Sequence, residues 1–100
     1  MTNSSEMTVA ELFLKALYDQ GIEYVFANAG TDFAPIIEAL VTSSQKGNRT
    51  PTFLTVPHEN VAISMAQGYY RVAGKPAGVM VHVTVGTANA ICGLMNSSRD

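Results

Sequence analysis

No stretch of the chain approaches the ~18 consecutive apolar residues that a membrane span needs. The N-terminus, MTNSSEMT, lacks a basic region followed by an apolar run. Neither a span nor a signal peptide is visible, and a cytoplasmic location is expected. There is a single cysteine, Cys92, so no intramolecular disulfide can form and no metal-ligand spacing exists. A small core residue is its expected role. Charge is scarce at 14% of residues, and the six basic side chains, Lys15, Lys46, Arg49, Arg71, Lys75 and Arg99, are scattered. With a net charge of −2, the chain offers no electrostatic footprint for nucleic acid or an anionic membrane. What it does have is a 47% hydrophobic content over 100 residues, enough for one domain at most with a real core.

Apolar spacing changes character regularly along that length. Thr8 followed by Glu11 is a capping box, and Val9, Leu12, Phe13, Ala16 and Leu17 recur at helical spacing until Gly21. The run 24–27 predicts a strand. After the polar turn NAGTD, residues Phe33, Ile36, Ile37, Leu40 and Val41 share one helical face. TSSQKGNRTP is a loop, and a second strand is expected over 52–56. A third helix starts near Glu59, with Val61, Ala62, Met65, Ala66 and Tyr69 as its buried stripe and Gly74 as its stop. Residues 77–83 read as a strand buried on both faces, and 87–99 as a fourth helix. Alternating strands and helices predict an α/β fold: an open parallel sheet with helices on both faces, three βα units preceded by an N-terminal helix. No strand covers the sheet edge, and the fourth helix meets no stop signal, as expected of part of a larger domain.

Ligands of open parallel sheets sit beyond the carboxyl ends of the strands, where loops and helix N-termini converge. This chain places NAGTD (28–32), PHEN (57–60) and HVTVGTAN (82–89) on that rim. Glu59 has two readings on position alone. An acidic residue in the first turn of a helix is favoured by the macrodipole and need do nothing else. Facing an apolar crevice, the same carboxylate would lose solvation, its pKa would rise above ~4.3, and it could share a proton with a ligand nitrogen.

GIEYVFANAGTD, PHENVAISMAQGYYRVAGKPAGVMV and GTANAICG together resemble the N-terminal pyrimidine-binding domain of thiamine diphosphate-dependent enzymes of the acetolactate synthase, pyruvate oxidase and benzoylformate decarboxylase group. The likeness covers nearly all of residues 8–100, and its central element, H-E-x-x-A-x-x-x-A-x-G-Y-x-R then G-K-P, is matched from His58 to Pro76. The resemblance implies that Glu59 hydrogen-bonds a ring nitrogen of the cofactor's aminopyrimidine, stabilising the tautomer that activates the thiazolium carbon. The electron-accepting chemistry is then the cofactor's. Ala29 and Gly30 stand where the family usually has Pro-Gly close to the cofactor. Asn89 would cap the fourth helix or meet the cofactor, with the cofactor favoured.

Acetolactate synthases typically read T-S-G-P-G-A-T-N in the third rim segment, and the G-P-G is missing here. His82 followed by G-T-x-N is similar instead to the benzoylformate decarboxylase branch, in which a histidine at this place assists proton transfer. An imidazole pKa of ~6.5 suits that work, although a lone histidine at a strand end is also a common structural residue. His58 is taken as a packing or helix-opening residue, and Tyr69, Tyr70, Met65, Met80 and Met95 as core or subunit interface.

No G-D-G segment occurs. The resemblance therefore implies that Mg2+ and the diphosphate are held by a region outside this chain, and that central and diphosphate-binding domains are not present in residues 1–100. It also implies a homo-oligomer, a dimer or dimer of dimers, with the active site at the subunit interface. The expected activity is decarboxylation of a small-molecule 2-oxo acid. The alternatives are an acetolactate synthase-like carboligase and, from another class, a non-catalytic α/β binding module.

Overall fold

A computed structural model describes residues 7–28 and 33–99. Seven elements follow one another: α1 (Val9–Asp19), β1 (Tyr24–Ala27), α2 (Ala34–Gln45), β2 (Thr52–Thr55), α3 (Glu59–Ala73), β3 (Gly78–Met80) and α4 (Val83–Arg99). The three strands form one parallel sheet in the order β2-β1-β3. In the register, Tyr24 pairs with Thr52 and Phe26 lies between Leu54 and Val79. The chain moves from β1 out to β2 and then back past β1 to β3. Right-handed crossovers therefore carry α2 and α3 over opposite faces.

Side-chain alternation along β1 serves both faces. Tyr24 and Phe26 point toward α3 and meet the ring of Tyr69 edge-on, at centroid separations of 5.5 and 6.4 Å. Phe26, Val56 and Ala62 form the buried centre of that layer, with Ala66, Ala77 and Val79 packed around it. Val25 and Ala27 point the other way and are also buried, on the side where α1 and α2 contribute Leu14 and Ala39.

Several boundaries follow from local chemistry. Thr8 Oγ1 accepts from the Glu11 backbone N–H while the Glu11 carboxylate accepts from the Thr8 backbone N–H, completing the capping box. Lys46, just past α2, donates to Glu11 Oε1 at 2.9 Å, tying the start of α1 to the end of α2. Gly74 adopts the left-handed conformation, φ 70°, that stops α3.

Other expectations are corrected. Helix α4 begins at Val83, four residues before the predicted start, and β3 is confined to Gly78–Met80. The run Val83-Thr84-Val85 has the β-branched composition of a strand, yet tertiary packing of α4 on α3 wins over that preference. β3 is half-buried and lies at a sheet edge, as does β2. Cys92 is exposed and does not join the core. Val61 and Met65 are exposed on α3, as are Ile37 and Val41 on α2 and Tyr70 and Met95, because three strands cover only part of each helix. Tyr69 and Met80 are half-buried.

Helices α3 and α4 approach closely because α4 buries Gly86, Ala90 and Gly93 along one face. A Cβ added at Gly93 would stand 2.6 Å from Ile63 Cγ2 and 2.8 Å from Asn60 Oδ1. One at the helical Gly68 would meet nothing within 4 Å. In the complete protein Gly93→Ala is expected to destabilise by about 1–3 kcal/mol through overpacking, read as a lowered urea midpoint. Gly68→Ala is expected to be neutral or stabilising by up to about 1 kcal/mol. Equal effects would contradict close packing at Gly93.

Candidate functional site

The carboxyl ends of the three strands are joined at Asn28, directly after β1. Its backbone N–H donates to Met80 O at 3.0 Å and its side-chain Nδ2 to Val56 O at 3.3 Å, while Val56 N donates to Ala27 O at 2.9 Å. Asn28 thus links the end of β1 to the segments leaving β2 and β3, at the point where strand order reverses and α/β sheets place ligands. Sequence reasoning placed this residue on the rim, in NAGTD, without its role in joining the strand ends. The available signal was a polar side chain directly following the apolar central strand.

From Val56 the chain turns through Pro57 into α3. His58 caps that helix: its backbone is extended, φ −146° and ψ 146°, and its Nδ1 accepts from the Asn60 N–H at 3.0 Å. This agrees with the helix-opening role expected of it. Glu59 is the first residue of α3, half-buried, and its carboxylate turns toward α4. Asn89 Nδ2 donates to Glu59 Oε1 at 3.2 Å. Glu59 Oε2 lies where a Cβ on Gly86 would come within 3.2 Å. The side chain is thus held from one side and given room on the other.

The electrostatics bear on the two readings of Glu59. The Glu59 carboxyl is held below its ordinary value, chiefly by its own backbone N–H at the helix start and next by Asn89. Burial opposes the shift, and His58 reinforces it through charge. This is the direction expected of a carboxylate in the first turn of a helix, because two donors meet the charged form and the group retains solvent contact.

Asn89 lies inside α4, seven residues into the helix, so it does not cap it. His82 immediately precedes α4 and packs its imidazole edge-on against Phe33, 5.8 Å between centroids. Phe33 precedes α2, so this contact joins the openings of α2 and α4. Val83, beside His82, has φ 48°, a strained left-handed conformation for a β-branched residue. Ala29 and Gly30 lie outside the described residues. Among the described residues, no group of three or more His, Cys, Asp or Glu side chains could hold a metal ion. No helix there is long and apolar enough to cross a membrane.

A carboxylate and its amide donor thus stand beyond the carboxyl ends of a parallel sheet, the place where α/β folds commonly hold ligands. Comparison with known proteins specifies the family. The family described as "Thiamine pyrophosphate enzyme, N-terminal TPP binding domain" matches residues 7–100, and the chain belongs to that family. It is 34% identical over 95 residues to the acetolactate synthase large subunit of Haemophilus influenzae, covering 95% of this chain and 16% of that protein. It is 35% identical over 91 residues to the acetolactate synthase large subunit of Buchnera aphidicola subsp. Acyrthosiphon pisum, covering 91% of this chain and 15% of that protein. To the acetolactate synthase of Bacillus subtilis it is 33% identical over 91 residues, again 91% of this chain and 15% of the relative. The chain therefore spans about one-sixth of the length of these curated relatives.

Two outcomes test this geometry. A carboxyl whose folded pKa is depressed contributes stability present above its unfolded value and lost as pH falls through the folded one. An NMR titration of Glu59 is expected to place its midpoint below the ordinary glutamate value, and Asn89→Ala to move it upward. A midpoint above the ordinary value would restore the desolvated picture. Replacing the exposed, strained Val83 by glycine is expected to stabilise the protein by about 1 kcal/mol, seen as a raised urea midpoint. A lowered midpoint would contradict the strain.

Proposed function

We propose that this chain is the N-terminal part of the pyrimidine-binding domain of a thiamine diphosphate enzyme whose first step is decarboxylation of a 2-oxo acid. The observation carrying this is Glu59: an ionised carboxylate at the first turn of α3, braced by Asn89, on the rim of the parallel sheet. The donor set fits the group. An aminopyrimidine presents ring nitrogens to a carboxylate, and a carboxylate that is an acceptor in its charged form can hold a protonated ring nitrogen and share that proton. When bound, thiamine diphosphate supplies the electron sink for breaking or making a carbon–carbon bond next to a carbonyl.

Glu59 would hold the pyrimidine through a ring nitrogen and share the proton there. His82, an imidazole at the rim just before α4, is suited to hand a proton to the substrate-derived carbon, and it packs edge-on against Phe33. Ala29 and Gly30 stand in the sequence where the family usually has Pro-Gly close to the cofactor, and are assigned to cofactor contact on that resemblance. The diphosphate and its Mg2+ are bound by a region outside residues 1–100, in a cytoplasmic homo-oligomer of at least two subunits that completes each site at an interface. The exposed apolar side chains on α3 and α4, Val61, Met65, Ile91 and Met95, are compatible with such assembly.

Two outcomes would be open after carbon dioxide is lost. Protonation, giving an aldehyde, is favoured by His82. Attack on a second carbonyl is favoured by the acetolactate synthases among the relatives.

The complete protein is to be assayed with pyruvate and with benzoylformate for carbon dioxide and product. Aldehyde is the expected product, and acetolactate from pyruvate would move the assignment to the carboligase. Glu59→Gln is expected to reduce turnover by about 10²–10⁴-fold. Unchanged turnover would leave Glu59 as a helix-terminal charge in a non-catalytic binding module.

A further inference from the structure

We propose that Asn89 and Gly86 are positioning residues that act through Glu59, and that Asn89 does not itself touch the cofactor; this rests on the role given to Glu59 above. The two lie three residues apart on α4, hence on one face of the helix, and both meet the same carboxylate. Asn89 donates to Oε1 at 3.2 Å. Gly86 leaves the volume that Oε2 needs, since a Cβ there would sit 3.2 Å from Oε2 and 3.3 Å from Val81 Cβ. The next residues along the same buried strip, Ala90 and Gly93, bring the two helix backbones close enough for a side chain as short as asparagine to reach across.

The chemistry of the donor matters as much as its reach. An amide orients a carboxylate without neutralising it and lowers its proton affinity less than a cation would, so the group can still accept a proton from a ring nitrogen. A lysine or arginine at the same place would bind it as an ion pair and suppress that acceptance. An aspartate would put a second negative charge against it. Asparagine is the side chain of this size that fixes the direction of the carboxylate and leaves its proton chemistry available.

The test is a double-mutant cycle in the complete protein. Thiamine diphosphate affinity is measured by calorimetry in the presence of Mg2+, together with the near-ultraviolet circular dichroism of the bound aminopyrimidine. Asn89→Ala is expected to weaken binding about tenfold when Glu59 is present and less than about twofold in the Glu59→Ala background. Asn89→Asp, which keeps shape and volume, is expected to weaken binding more than Asn89→Ala when Glu59 is present and to lose that excess when Glu59 is absent. The aminopyrimidine signal of Asn89→Ala should shift toward that of Glu59→Ala. An equal loss of affinity in both backgrounds overturns the inference and makes Asn89 a direct cofactor contact. Unchanged affinity and signal in Glu59→Ala itself overturn the site assignment, and the inference with it.

Discussion

The structure turns on the close approach of α3 and α4. Gly86, Ala90 and Gly93 remove side-chain volume from one face of α4, and without that clearance Ile63 and Asn60 would hold the helices apart. The Glu59 carboxylate lies at the open end of the same interface. Its hydrogen bond from Asn89 therefore depends on packing set a full turn further along. Core packing and site geometry are one constraint here, since a side chain that widens the interface also withdraws the donor.

The sheet supplies the other half of the site. With β1 central and the chain doubling back from β2 to β3, the strand ends converge on Asn28, whose two hydrogen bonds link β1 to both neighbours. This fixes where the Pro57-His58 turn enters α3, and so where Glu59 starts. His58 contributes by capping the helix and leaving the Glu59 N–H free to meet its own carboxylate. The same helix start that would favour any acidic residue thus holds the proton affinity of this one down, and the chemical role proposed for Glu59 would draw on the same field of the helix terminus.

Much of this was legible in the sequence, and the exceptions have physical causes. The capping box of α1, the limits of β1 and the left-handed stop at Gly74 are local features, written in neighbouring residues. The start of α4 was not, because Val83, Thr84 and Val85 carry strand preference and only contact with α3 reveals the helix. Val61, Met65 and Cys92 have core composition but lie beyond the cover that three strands give. Glu59 stood out through the spacing from His58 to Pro76. The direction of its proton affinity was half legible: its largest cause, the N–H at the helix start, is local, while the second, Asn89, is distant in sequence and brought near by folding. Asn28 was placed on the rim, but its joining role was not legible because it links segments that the linear order keeps apart.

The most direct measurement is a crystal structure of the complete protein with thiamine diphosphate and Mg2+. A pyrimidine ring nitrogen within hydrogen-bond distance of the Glu59 carboxylate, with the Asn89 amide still on that carboxylate, is the expected result. A cofactor ring bound elsewhere on the domain, with the Glu59 carboxylate turned to solvent, would contradict the account.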